Sequence, residues 1–298
     1  MTSIQEILVK EGPCTGAELL ERQDREVLAL WQTCAARADL VMERASRRYL
    51  RLDRKVDGYA RLSPSIRREF MTYVVIGLEP QRTAVEERID RLQAEFVAIS
   101  DRKRRVAQET IEELFTHTPH RHELNRHVCV LIGGDVVYDM AHAVERPEPS
   151  TGKMVRGSDL DLVFIADETI ERQVLHALDE RMYERKWHLL VLPQFREELD
   201  YVIKTLAKVR KQLAFDTFPH KVACKIMDEG QYLCGSRALF DRVKGLVEAS
   251  GIPEKLAELE EKATEERAIA ERELLSAGTH APEWEHLFFT TEEREEIY

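Results

Sequence analysis

GSDLDLVF, residues 157–164, alternates acid and apolar side chains and then turns wholly apolar. As a β-strand it sends Asp159 and Asp161 to one side and Leu160 and Leu162 to the other, because successive side chains of a strand point to opposite faces. Two carboxylates on one face repel each other unless a cation lies between them. Their oxygens suit Mg2+, a hard ion that keeps octahedral geometry and shares its shell with phosphate. Upstream, HVCVLIGG (127–134) reads as a buried strand followed by a tight turn. Gly133 and Gly134 lack a Cβ, so their backbone N–H groups can approach a phosphate closely, and Ser158 adds a hydroxyl beside the acids. Together these residues predict a phosphate-plus-metal site.

Working outward, DVVYDMAHAV reads as a short helix and VERPEPSTGKMVRG as a polar, Pro-bearing loop. ETIERQVLHALDERMYER returns to helical spacing, with Ile170, Val174, Leu178 and Met182 on one face. WHLLVLP and ELDYVIK read as strands, and a basic amphipathic helix follows through Leu206, Val209 and Leu213. Strands alternating with helices between 127 and about 204 predict an α/β core. Residues 205–250 read as helices, and 254–275 as one long charged helix. The last segment, WEHLFFTTEEREEIY, carries apolar residues that should dock.

Residues 17 to about 118 read as wholly helical, with Val27, Leu28, Trp31, Cys34, Ala35, Ala38 and Val41 at helical spacing. A long helix after Pro80 passes Val85, Ile89, Leu92, Phe96 and Ile99 and continues past RKRR (102–105) to Phe115. A basic cluster between Arg44 and Lys55 reads as a solvated helix face in preference to a nucleic-acid or phosphate patch. The expected organisation is a helical domain over 1–118, a core over 119–250 and a helical segment over 251–298. The fold class expected is mixed α+β or α/β, a small mixed sheet flanked by helices, with an all-helical N-terminal region and a helical C-terminal region.

The chain has 298 residues, 43% of them apolar, enough for a sizeable core in one or two domains. Its 44 Lys and Arg against 55 Asp and Glu leave a formal charge of −11, which disfavours a dedicated duplex-binding protein but not one local basic groove. Five scattered Cys with no CxxC spacing suit buried thiols of a reducing compartment. The N-terminus lacks a signal-peptide core, and the apolar runs are too short to span a bilayer, so a cytoplasmic protein without membrane association is expected.

On these residues the chain resembles the nucleotidyltransferase superfamily of the DNA polymerase beta type, which includes aminoglycoside nucleotidyltransferases and many bacterial toxin and defence enzymes. VLIGGDVVYDM matches the family's apolar strand, glycine turn and short helix, and SDLDLVF matches its acid-apolar-acid strand. The resemblance covers residues 127 to about 245. It departs in two places. Gly134 stands where Ser is usual, and the interval of 26 positions from Gly133 to Asp159 is long, an excess carried by PEPSTGKMVRG.

The resemblance implies a third carboxylate on a later strand, and Asp200 lies where the family places it, 39 residues beyond Asp161. On a strand Asp200, Val202 and Lys204 share a face, and Lys204 can neutralise phosphate charge. On a helix Asp200, Lys204, Lys208 and Lys211 form one stripe instead. The implied chemistry is transfer of a nucleoside monophosphate from a triphosphate such as ATP to an acceptor hydroxyl, with release of pyrophosphate. Two Mg2+ ions would be held by Asp159 and Asp161, with Asp200 sharing one metal or acting as base, and Lys204 or Lys225 offsetting pyrophosphate charge. The acceptor stays open between a small molecule, a protein and RNA. The terminal helices are candidate surfaces for a second copy or a regulatory partner. Other readings are a catalytically silent nucleotide-binding scaffold, a partner-controlled toxin or defence component, and a DxD glycosyltransferase, which would need an α/β half where this chain reads as helical.

Weaker constellations carry less. PSTGKM lacks the glycine and the hydroxyl residue that a phosphate-binding P-loop needs, Pro147 and Met154 standing in those places. His117, His120, His122 and His127 read as a surface loop, and Tyr138 and Trp187 as packing aromatics.

Overall fold

Val74, Val75 and Ile76 form a β-branched run in the region that reads as helical, and that run organises the first part of the molecule. The computed structural model describes residues 3–148, 151–276 and 285–290. The chain begins α1 (Ile4–Glu11), β1 (Cys14–Thr15), α2 (Gly16–Leu20), α3 (Val27–Ala35), β2 (Leu40–Arg44), β3 (Tyr49–Leu52), β4 (Ala60–Ser63), α4 (Ile66–Arg68) and β5 (Val74–Leu78). It continues with α5 (Arg82–Thr116), α6 (Arg121–His127), β6 (Val128–Ile132), a 3-10 turn (Gly134–Tyr138), β7 (Glu145–Pro147), β8 (Met154–Arg156), β9 (Leu160–Ala166), α7 (Arg172–Val191) and β10 (Leu199–Thr205). Last come α8 (Leu206–Gln212), α9 (Phe218–Glu229), β11 (Gln231–Gly235), α10 (Arg237–Ala249), α11 (Ile252–Ser276) and α12 (Glu285–Phe288). The fold is mixed α+β. It divides into two compact units, Met1–Glu95 with Leu259–Tyr298, and Phe96–Glu258. The expected breaks at 118 and 250 both fall inside the second unit.

The first unit corrects the all-helical expectation. Ser3 and Thr15 each cap a helix reciprocally with a glutamate three residues on, which sets the starts of α1 and α2. Helical spacing ends at Ala35, and Val41 lies on a strand. β5 pairs antiparallel with both β1 and β2, giving the order β1-β5-β2, while β3 and β4 form a separate hairpin. Ile7, Leu8, Leu30, Trp31, Phe70 and Ile76 are among its buried core residues. Of the last segment, Phe288 docks in this core with its ring 5.9 Å from Trp31. Trp284 and residues 291–298 lie outside the described residues.

α5 is one helix of 35 residues, as its spacing predicts, and enters the second unit at Phe96. The sheet runs β10-β9-β6-β11, with β10 parallel to β9 and the other pairs antiparallel. Parallel neighbours need a crossover, and α7 supplies it. Leu160, Leu162, Phe164 and Ala166 of β9, with Val128, Val130 and Ile132 of β6, pack against Ile111, Leu114 and Phe115 of α5 and Val174, Leu178 and Met182 of α7. Strand alternation therefore turns Asp161, Val163 and Ile165 to the other face, where α8 and α10 pack.

Three local expectations change. WHLLVLP is not a strand: Leu189 and Leu190 are buried in the last turns of α7. QYLCG, within a region read as helical, is the fourth strand. PEPSTGKMVRG is not a loop throughout, because Glu145–Pro147 pairs with Met154–Arg156; Pro149 and Ser150 lie outside the described residues. All five cysteines are buried. Burial pushes four of their thiols up to about 12 and that of Cys224 up to about 11. Among the described residues, no helix is long and apolar enough to cross a membrane.

Candidate active site

β9 and β10 begin side by side in register, Leu160 against Leu199 and Asp161 against Asp200. Each strand is entered through the same triplet: Asp159-Leu160-Asp161 on one, Glu198-Leu199-Asp200 on the other. The leucines are fully buried, so the four carboxylates share the opposite face at one end of the sheet. Carboxylate oxygens of Asp159, Glu198 and Asp200 lie within 4.8 Å of one another. Oxygens trans to each other around Mg2+ are about 4.2 Å apart. One oxygen from each acid is thus near the span that a single hard cation requires, and such a cation would have to displace the side chains now paired with them.

Cations of the chain itself now balance these charges. Arg146, brought in by β7, makes a short ion pair with Asp159 and reaches Glu198 at 2.9 Å. Its Nε donates to the Gly157 carbonyl at 3.2 Å, which fixes the guanidinium over the acids. Lys186 of α7 meets Asp200 at 2.5 Å.

The glycine turn sits against Asp161. Gly133 N–H donates to the Asp161 carbonyl at 2.9 Å, so it closes the sheet and does not face a ligand. Gly134 opens the 3-10 turn, where the first N–H groups have no partner within the turn. Its φ of +69° favours glycine, and a Cβ there would collide with Asp161 Oδ2. Beside the turn, Tyr138 donates to Glu229 Oε2 at 2.6 Å, and Lys225 pairs with the same carboxylate.

Of the seven expected site residues, Asp159, Asp161, Asp200, Gly133 and Gly134 come together. Ser158 is buried next to the acids, but its hydroxyl donates to Asp135 at 2.7 Å and accepts from the His142 N–H at 3.3 Å. Lys204 shares the face of Asp200 but stands four residues on, about 13 Å along the strand. It donates to Gln212 at 3.2 Å, and burial pushes its ammonium down to about 8. Lys225 is the cation beside the glycine turn. Sequence reasoning missed Glu198, Arg146 and Lys186. For Glu198 the signal was present, since ELD repeats the spacing of DLD.

No family model matches the chain, and comparison with curated proteins and with solved structures gave no match. The functional reading therefore rests on this geometry.

Proposed function

We propose that the protein is a Mg2+-dependent nucleotidyltransferase that moves a nucleoside monophosphate from a triphosphate to an acceptor hydroxyl, releasing pyrophosphate. One observation carries the reading: two acid-apolar-acid triplets open adjacent parallel strands in register, with a glycine turn against Asp161. Asp159, Glu198 and Asp200 would hold the metal, which when bound would neutralise the triphosphate and align it for in-line displacement. Asp200, the most exposed of the acids, faces solvent where an acceptor hydroxyl can arrive, and serves as its proton acceptor. The Gly134 N–H and Lys225 face the phosphates from the turn side.

The second reading is a silent nucleotide-binding scaffold, favoured by the pairing of Asp159, Glu198 and Asp200 with Arg146 and Lys186. The deciding assay incubates the protein with each α-labelled nucleoside triphosphate, Mg2+ and a cell extract, with Asp159→Ala/Asp161→Ala as control. Label moving to an extract component or to the protein, and lost in the double variant, supports transfer. Binding of a triphosphate without transfer supports the scaffold.

A further inference from the structure

The basic cluster that reads as a solvated helix face lies on no helix. Between Arg44 and Arg68 the chain carries nine Arg and Lys against two Asp, within a protein of net charge −11. This stretch is the excursion between β2 and β5, and its centre is the β3–β4 hairpin. Arg44 ends β2, Arg47 lies in the turn before β3, and Arg54 and Lys55 lie in the turn joining β3 to β4; all four are exposed. On the hairpin Arg51 stands directly opposite Arg61. Arg61 is held there by Asp53 at 3.5 Å and by the carbonyls of His286 and Phe289 at 2.9 and 3.2 Å. Arg48 is paired with Glu69 and Glu271.

The same unit pairs α2 with α3 against the sheet β1-β5-β2, a helix-turn-helix arrangement with the hairpin as its wing. In such arrangements the second helix ordinarily reads base edges. Here α3 (VLALWQTCA) carries no Arg or Lys to meet a polyanion, and its Gln32 donates to the Leu274 carbonyl at 2.6 Å. What this unit offers outward is cationic hairpin. We infer that the wing, through Arg44, Arg47, Arg54 and Lys55, binds the phosphodiester backbone of nucleic acid without reading its sequence. Each β3–β4 strand is about 13 Å long, enough to meet several phosphates. This inference stands apart from the nucleotidyl-transfer reading and uses none of its residues.

The test is fluorescence anisotropy of the full chain with a labelled 24-base-pair DNA duplex, the RNA duplex of the same sequence, and the single RNA strand, at several salt concentrations. Binding to at least one is expected, with log K falling against log salt at a slope of about −3.5 for four contacts. The variant Arg44→Ala/Arg47→Ala/Arg54→Ala/Lys55→Ala should lose about tenfold or more in affinity, its melting temperature being measured alongside so that a loss of fold is told apart from a loss of contact. Lys208→Ala/Lys211→Ala, equally exposed in the other unit, should bind as wild type. The three nucleic acids separate the DNA, RNA and single-strand sources. Absence of binding to all three at 50 mM salt would overturn the inference. So would equal affinity of wild type and quadruple variant, or an equal loss in the Lys208/Lys211 control.

Discussion

Asp161 and Asp200 are register partners on neighbouring parallel strands, so two carboxylates face the same side one strand spacing apart. With Asp159 and Glu198 two residues upstream, one end of the sheet gathers four acids, three of which Arg146 and Lys186 now pair. The expectations below follow from that arrangement and from the groups around it.

Glu198→Gln removes one oxygen donor of the cation cluster while keeping shape. Mn2+ affinity, read by electron paramagnetic resonance of the free ion, should fall about tenfold. Label transfer should fall with it. Unchanged Mn2+ affinity would remove Glu198 from the cluster.

Arg146→Ala leaves Asp159 and Glu198 without the guanidinium that now neutralises them. Stability without metal should drop by about 1–3 kcal/mol, and Mn2+ should bind severalfold more tightly because the ion no longer competes with Arg146. Metal should then restore the lost stability by mass action. Weaker Mn2+ binding in this variant would instead make Arg146 a support of the ion.

Gly134→Ala puts a Cβ into Asp161 at a left-handed backbone position. Urea unfolding should show a loss of about 1–2 kcal/mol, and label transfer should fall further than stability explains, since Asp161 must shift. A variant as active as wild type would show that the position of Asp161 is unimportant.

Lys204 gives a pH signature. Below about pH 8 the ammonium is protonated in both the folded and unfolded chains, and the fold bears the full cost of a buried charge. Between about 8 and the ordinary 10.5 the folded chain releases the proton and the unfolded chain keeps it, so this cost is relieved as pH rises. Lys204→Met should therefore gain about 2 kcal/mol at pH 7 and much less at pH 10, by urea titration. Equal gains at both pH values would show that the ammonium is not buried as charge.

The inner half of the site was legible because DLDLVFIA combines a buried face with an acidic one, and alternation of that kind has one strand reading. Asp200 entered only as the third carboxylate that the resemblance implies, and the residues around it form β10, the strand of the two readings. Arg146 was not legible: it reaches Asp159 and Glu198 because a segment read as a loop pairs with itself, a non-local event without local periodicity. The strands of the first unit are two to five residues long, too short for alternation to compete with the helical spacing of Val27 to Cys34. WHLLVLP failed for the opposite reason, since a short apolar run fits a buried helix end as well as a strand.

The burial of every cysteine has a practical side. Thiols held near 11 to 12 and away from solvent are almost wholly protonated at neutral pH, and the protonated thiol is a poor nucleophile. Maleimide and nitroxide reagents should therefore pass the native chain by. A single cysteine placed at an exposed position, Arg54 on the wing or Tyr183 on α7, would be the one reactive handle for a spectroscopic probe, with no need to strip the native sulfurs first.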